Sequence, residues 1–486
     1  MKKCFYLLIL TLSTTVFAQS KKINLSDAIV IAKKKSPEYK ALLNTSQASY
    51  WRNRNFKAEF LPQVRLRATL PQYSNSIQRI TNNQGEDIFV NQNQSRIDGN
   101  LGISQQVPFT GGSLSLNTQL QRVDIYGDNE ATNYSLVPLS INYFQNSLFY
   151  NPYKWDRKIE PLLYEEAKRD FVEKMEDISL TSCRYYFSLL RTQVQLKNAI
   201  KNLSDQDTLL QMAKGRFKIG KIAENDLLQM ELRHLNSKNN VSTNTIQLKK
   251  ASQDLARFLE LKTESIELEI PEKLTDFTVS VDKALEEAKN NRKSVIEFRR
   301  RRLQAEKRLA EVKGSNRLEV SVNANFGLNK RSEEYATLFQ DFDQQQNLSV
   351  SLGIPIFDWG VSKSRRKMAE ADLGLVETNL EQEQQAFEQE IFLHTLNWSI
   401  QRDFLATSEK AKEIARKRYN ITKERYILGK ITITDLNLAQ QEMDRAEIEY
   451  LNSLEKFWTD YYTLRKLTLY DFITDKKLEQ KDLLFD

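Results

Sequence analysis

The sequence predicts an α+β fold made of two internal repeats, in which long helices are joined to amphipathic strands. A turn signature occurs twice, as GRFKIGKIAENDLL at 215–228 and as ERYILGKITITDLN at 424–437. Long segments on either side of each turn lack proline, and shorter segments elsewhere alternate apolar with polar residues. These observations predict helical hairpins and strands in both halves of the chain.

The N-terminus predicts a secretory signal peptide over residues 1–18. Lys2 and Lys3 form its positive region, an apolar core follows, and residues 16–18 form a small-residue cleavage site. The mature chain would keep only Cys183, so no internal disulfide is expected. No later apolar run approaches the roughly 20 residues of a membrane helix. The chain is therefore expected to be periplasmic, secreted or part of an outer-membrane barrel.

The composition narrows the possible classes of protein. The 486 residues include only 14 glycines and 9 prolines, which favours long helices and argues against glycine-rich phosphate loops. The net charge of +7 is modest for this length, so no nucleic-acid partner is predicted. His234 and His394 are the only histidines and no carboxylate pair stands out, so no metal site, cofactor or catalytic centre is predicted.

The two halves match at two different offsets. Ala28 matches Ala284 and Ala32 matches Ala288 at an offset of 256, whereas the turn signatures lie 209 residues apart. The first half therefore carries 47 extra residues, inserted between about 69 and 215. The predicted organisation is a first repeat at 19–259, a connecting segment at 260–280, a second repeat at 281–472 and a polar C-terminal tail at 473–486.

Alternation of apolar and polar residues predicts the strands. In the second half it runs from Leu348 through Leu352 to Ile356. The first half shows strand-like segments at 64–70, 101–107, 114–120 and 139–143, and polar segments at 82–94 and 126–134 that are predicted as loops. Such strands fit either a half-buried soluble sheet or a membrane barrel with a wet lumen. The signal peptide and the aromatic residues near the strand ends favour the barrel.

Long helices are predicted beside each turn. One covers 162–218, with Pro161 at its first turn, and its counterpart covers 362–425; at 1.5 Å per residue they would span roughly 85 to 95 Å. Shorter helices are predicted at 226–259 and 435–469. The last of these carries a coiled-coil seam at Leu436, Ala439, Met443, Ala446, Tyr450, Leu454, Phe457, Tyr461 and Leu464. One copy offers only a few helices of this length, too few to bury their apolar seams against one another. Helices from other copies would cover the seams, so an oligomer is expected.

These features resemble the TolC-like outer-membrane efflux proteins over nearly the whole mature chain. The resemblance rests on the strand ending in IPIFDWG at 354–360 and on two copies of an aromatic-x-x-Gly-x-x-x-x-x-Asp-Leu signature. It implies an α+β membrane protein: a homotrimer whose outer-membrane β-barrel is continued by a long periplasmic coiled-coil tunnel. The family's minimal pattern has two strands per half, so the enlarged first half leaves open which strands span the membrane.

The resemblance also implies a function. The chain would be a passive, gated exit duct of a tripartite efflux or type I secretion system, set in outer-membrane lipid and extending into the periplasm. A periplasmic adaptor (membrane fusion) protein and an inner-membrane transporter would be its partners, and it would not be an enzyme. An exported coiled-coil scaffold without a barrel and an exported hydrolase are the rival hypotheses, and the cargo is left open.

The repeated turn supplies the candidate site residues. Gly220 and Gly429 are predicted to end their helices in a left-handed cap. Asp226 and Asp435 either cap the following helices or, as the resemblance implies, also form acidic rings that constrict the closed tip, with Tyr426 as the partner of Asp226. The tip residues are either solvated or, by the resemblance, contact the adaptor: Gly220, Lys221, Ile222, Ala223, Gly429, Lys430, Ile431 and Thr432. Ile431 and Leu438 depart from the family's best-known gate pattern.

Overall fold

A computed structural model describes residues 21–81, 84–127, 130–262, 266–274, 277–316 and 318–479. The predicted signal peptide lies outside these residues, as does the end of the predicted tail. The described chain divides into two compact units, one made of 21–46, 169–292 and 386–479, the other of 47–168 and 293–385. Each unit combines segments from both predicted repeats.

The secondary structure of the described residues follows the predicted order of helices and strands. The first half forms β1 Lys21–Ile23, α1 Leu25–Lys35, α2 Pro37–Ala58, β2 Gln63–Thr81, β3 Asp87–Val107, β4 Gly112–Tyr126, β5 Ala131–Gln145, α3 Pro152–Lys218 and α4 Glu224–Phe258. The second half forms β6 Ile266–Leu268, α5 Val281–Asn291, α6 Lys293–Ser315, β7 Glu319–Ser332, β8 Asp343–Gly353, α7 Val361–Ile427, α8 Ile433–Thr468, β9 Tyr470–Asp471 and β10 Lys476–Lys477.

Helices α1 and α5 support the predicted matching of the two halves. They begin 256 residues apart, and each starts with a polar cap: Asn24 accepts from the backbone N–H of Asp27 and Ser280 from that of Lys283. The four matched alanines are completely buried: Ala28, Ala32, Ala284 and Ala288. Small side chains at these positions let both helices pack closely against their neighbours.

The long helices agree with the predictions except at one start. Helix α3 begins at Pro152, capped by the side chain of Asn151, and Pro161 lies inside it. The prediction that Pro161 occupies the first turn is therefore wrong, because Pro152 takes that position. Helices α4, α7 and α8 start and end within a few residues of the predicted bounds. None of the helices in the described ranges is long and apolar enough to cross a membrane.

The predicted seam of α8 is buried. Its apolar residues join two clusters, one near the repeated turns with Leu436, Ala439 and Met443, and a larger one with Tyr450 and its successors. All the predicted seam residues are buried except Ala446, which is half-buried. Hydrophobic burial along this stripe holds α8 against its neighbours.

The strands β2-β3-β4-β5-β7-β8 form one antiparallel sheet in that order. The pairing of β2 with β3 continues to Thr81 opposite Asp87, so most of 82–94 is strand and the loop prediction there is wrong. A polar composition does not prevent strand formation when the backbone ladder is complete. The loop prediction at 126–134 holds only for the described residues Gly127 and Glu130, and residues 128–129 lie outside the described ranges. Strand β8 ends at Gly353 rather than at Ile356, because Pro355 has no N–H for the ladder.

Candidate functional site

Both repeated turns have the same backbone geometry. Gly220 follows α3 with φ of +69°, and Gly429 follows α7 with φ of +74°. In each turn the glycine N–H donates to the carbonyl three residues earlier at 2.9 Å, and the next lysine N–H donates to the carbonyl five residues earlier. This is the Schellman arrangement of a helix C-terminus. The predicted left-handed caps are therefore confirmed.

Asp435 caps the second hairpin. Its carboxylate accepts hydrogen bonds from the hydroxyl of Thr432 at 2.7 Å and from the N–H of Thr432 at 3.2 Å, while the Thr432 hydroxyl accepts from the Asp435 N–H at 3.3 Å. This reciprocal capping box satisfies donors at the start of α8. The bond from the Thr432 hydroxyl, followed by that from its N–H, lowers the pKa of Asp435. The exposed carboxylate is thus held ionised at neutral pH.

The first hairpin lacks this capping box. Ala223 stands where the second hairpin has Thr432, and α4 begins without a side-chain cap. Asp226 lies in the first turn of α4, where its charge favours the helix N-terminus. Among the described residues its carboxylate accepts no hydrogen bond. The two repeated aspartates therefore differ: Asp435 is bound by its own turn, and Asp226 is not.

Tyr426 lies close to two residues of the first hairpin, Arg216 and Asp226. The guanidinium of Arg216 stands 5.7 Å from its ring centroid and donates a hydrogen bond of 3.0 Å to the carbonyl of Ile427. Burial raises the pKa of Tyr426, Arg216 opposes this shift, and the nearby charge of Asp226 adds to it. Within the described residues no hydrogen bond joins Tyr426 to Asp226, so the proposed pairing stays a prediction.

Sequence reasoning missed two pairs of residues at the turns. Arg216, which connects the hairpins, recurs as Arg425, and this repetition was the available signal. Ile219 and Leu428 stand directly before the two glycines, and each side chain is 68% exposed. Of the predicted tip residues, Lys221, Ala223, Lys430 and Thr432 are exposed, whereas Ile222 is half-buried against the nearby core cluster. The tips thus present matched aliphatic side chains beside lysines.

The six-stranded sheet has two chemically different faces. One row across neighbouring strands is apolar: Val64, Ile103, Leu116, Ile141 and Phe326. The adjacent row is polar in all six strands: Gln63, Ser104, Ser115, Asn142, Asn325 and Asn347. Because successive residues of a strand point to opposite faces, the first row lies on one face and the second on the other.

The apolar face is the exposed one. Leu66 in β2 is 74% exposed and Leu348 in β8 is 72% exposed. On the polar face, Asn142 donates to Ser140 within β5 at 2.9 Å, and Asn325 of β7 donates to Asn142 across the strand pair. A large exposed apolar surface on a sheet is typical of a lipid-facing barrel wall and is rare in soluble monomers. Within the described residues no cluster of His, Cys, Asp and Glu could hold a metal ion.

The fold and the two-faced sheet are similar to those of TolC-like outer-membrane channels, and comparisons with known proteins agree. Residues 316–468 match the family model of outer membrane efflux proteins. This match confirms the resemblance to TolC-like outer-membrane efflux proteins over this part of the chain. No curated sequence is similar enough to count as a relative.

Solved outer-membrane channels share the fold at low sequence identity. The CmeC outer membrane channel of Campylobacter jejuni is 14% identical with a TM-score of 0.65, covering 91% of this chain and 85% of that chain. VceC of Vibrio cholerae is 14% identical with a TM-score of 0.64, covering 94% and 97%. The open state of the MtrE outer membrane channel of Neisseria gonorrhoeae is 14% identical with a TM-score of 0.60, covering 94% and 90%.

Proposed function

We propose that this chain forms a passive, gated exit duct as a homotrimer, serving a tripartite efflux or type I secretion system. The observation that carries the proposal is the six-stranded sheet with one exposed apolar face and one polar face. Such a sheet is stable only where its apolar face meets lipid and its polar face meets water. A closed barrel made by several copies satisfies both conditions and leaves no unpaired strand edge.

The gate of this duct would lie at the repeated turns. Three copies of Asp226 and Asp435 at a closed tip would form acidic rings, which narrow a pore and favour cations. The ionised state of Asp435 and the absence of an internal partner for Asp226 among the described residues support this role. Tyr426 and Arg216 would hold the two hairpins of one copy together beside these rings.

The adaptor would contact the tips. Ile219 and Leu428 offer exposed aliphatic side chains at matched positions, flanked by Lys221 and Lys430. Apolar anchors surrounded by polar residues are typical of protein-binding surfaces. The same hairpin geometry in both repeats would present six similar tips per trimer to a ring of adaptor molecules.

Planar-bilayer conductance of the purified protein tests this function. We expect trimers in detergent and a small, cation-selective conductance. Asp435→Asn should reduce cation selectivity and raise the conductance, because it removes the charge from the constriction and weakens the capping hydrogen bonds. Tyr426→Phe keeps the ring under Arg216 and removes only the hydroxyl, so a raised conductance would support the pairing with Asp226.

Glu424→Gln is the matched control, since Glu424 is an exposed carboxylate of α7 outside the proposed gate. It should leave conductance and selectivity unchanged. A monomeric, water-soluble protein without pore activity would favour the scaffold hypothesis instead. Equal effects of Asp435→Asn and Glu424→Gln on conductance and selectivity would show that Asp435 is not part of the gate.

A further inference from the structure

The extra residues of the first half form one β-hairpin. Pro152 follows Gln63 by 89 residues, whereas Val361 follows Glu319 by 42, a difference of 47. This equals the change in the repeat offset. Strands β3 and β4, from Asp87 to Tyr126, account for 40 of these residues. Without this hairpin, the helix-strand-strand-helix order of the first half would be that of the second.

The inserted hairpin carries the same two faces as the other strands. Ile103 of β3 stands opposite Val64 of β2 and Leu116 of β4. Ser115 of β4 stands opposite Ser104 of β3 on the other face. The apolar row and the polar row therefore pass through β3 and β4 without interruption. In a hairpin that lay in water, a continuous row of exposed apolar side chains would be unfavourable.

The apolar face of the sheet is more exposed than the polar face, as expected for a sheet that curves with its apolar face outward. Three apolar side chains of the central strands β4, β5 and β7 are exposed, and their polar neighbours are half-buried: Leu116, Ile141 and Phe326 against Ser115, Asn142 and Asn325. Side chains on the concave face of a curved sheet crowd together, whereas those on the convex face spread apart. Strand β4 shares this difference, so the inserted hairpin follows the same curvature.

The sheet ends in two edges that can pair with another copy. Strands β2 and β8 are the edges, and every residue of β8 is exposed. All neighbouring strands are antiparallel and the sheet has six strands, an even number. The two edge strands, β2 and β8, therefore run in opposite directions. The β8 edge of one copy can therefore pair with the β2 edge of the next in an antiparallel ladder.

We propose that the β3–β4 hairpin spans the membrane and that three copies close into an eighteen-stranded barrel, six strands from each. The proposal rests on the trimeric duct proposed above, and a second copy of this chain is the occupant of each edge. Two strands per half would give twelve. Because barrel diameter grows roughly in proportion to strand number, the lumen would be about one and a half times as wide. The exit would then be an open aqueous channel, and the tip would remain the narrowest part.

Spin labels on introduced cysteines test the position of the hairpin in the reconstituted trimer. Leu116→Cys and Ser115→Cys report the two faces of β4, and Phe326→Cys and Asn325→Cys report the same two rows of β7 as matched controls. Oxygen collides with labels in lipid and a water-soluble nickel chelate with labels in water. Cys183 is completely buried and burial raises its pKa, so it does not compete for the reagent.

We expect several-fold higher oxygen accessibility at 116 than at 115, and higher nickel accessibility at 115, with the same pattern at 326 and 325. Alternation in β7 combined with water exposure at both β4 positions would overturn the inserted-strand proposal and leave the duct intact. Absence of alternation in both strands would overturn the barrel itself. If accessibility alternates in both strands but the protein is not a trimer, the proposed count of eighteen barrel strands would be overturned.

Discussion

At the scale of residues, the two hairpin turns share a backbone but differ in side-chain chemistry. Gly220 and Gly429 have the same left-handed conformation. Thr432 binds Asp435, whereas Ala223 leaves Asp226 without such a partner. In the duplicated signature, the Asp435 carboxylate is therefore fixed by its own turn, whereas the Asp226 carboxylate is not. We infer that the Asp435 ring of a trimer would stay charged to a lower pH than it would without Thr432.

The pH dependence of cation selectivity tests this difference. The pKa of Asp435 lies below its ordinary value of 3.8, because the Thr432 hydroxyl donates to the ionised form. Stabilisation by the capping box is therefore complete above the ordinary pKa and is lost as pH falls through the lowered pKa. Thr432→Ala should raise this pKa, so selectivity measured as a reversal potential should disappear at higher pH than in the native protein.

The converse variant is Ala223→Thr, which places a hydroxyl beside Asp226 as in the second hairpin. It should extend cation selectivity to lower pH and stabilise the start of α4. Identical pH profiles for the native protein, Thr432→Ala and Ala223→Thr would show that these carboxylates do not control selectivity.

At the scale of elements, the structure explains where sequence patterns succeed. The ends of α3 and α7 were predictable because a glycine in the left-handed region stops a helix locally. The start of α3 was not, because two prolines compete for the first turn and the Asn151 cap favours Pro152. Pro161 is then accommodated inside a helix of 67 residues.

Alanine substitution tests the roles of individual glycines. Gly429→Ala should destabilise the second hairpin by about 1 kcal/mol, because alanine has a penalty at positive φ. Gly215 lies inside α3 without a positive φ, and a methyl group added there would meet no neighbouring side chain within 4 Å. Gly215→Ala should therefore stabilise α3 by about 0.5 to 1 kcal/mol. Thermal unfolding followed by circular dichroism measures both changes, and equal shifts would contradict the cap assignment.

At the scale of the whole molecule, the two predicted repeats differ by one inserted hairpin. Four strands come from the first half and two from the second, and all of them share one sheet in the described chain. The inserted hairpin lies between β2, which follows α2, and β5, which precedes α3. Its removal should therefore restore the simpler arrangement rather than destroy the fold.

Deletion of residues 87–126 tests this modularity. Strand β2 should then pair with β5, as β7 pairs with β8, because the two are antiparallel and retain matching apolar faces. We expect a trimer by light scattering in detergent, with less strand signal in circular dichroism. Deletion of 319–353 also removes two strands but replaces the native β8 edge by β5, so this variant should form fewer trimers than the 87–126 deletion. Loss of the trimer in both variants would contradict a modular insertion.

Much of the fold could be predicted because its signals are local. Ala28 and Ala284, the α8 seam and the glycines at the turns all follow from spacing along a single segment. The polar stretch at 82–94 was mistaken for a loop because its strand character depends on pairing with residues before it. The contact of Arg216 with Tyr426 joins residues from different repeats, and no spacing within one helix could indicate it.

The doubled turn, the helix lengths and the two-faced strands were determined by the sequence itself, because each depends on backbone preferences and periodicity within a few residues. The tertiary structure decided that the extra residues form a hairpin inside the sheet, and that Asp435 but not Asp226 is bound by its turn. Strand order, register and contacts between hairpins depend on segments that are far apart in sequence. Only the folded chain brings these segments together, where backbone hydrogen bonds and burial select one arrangement.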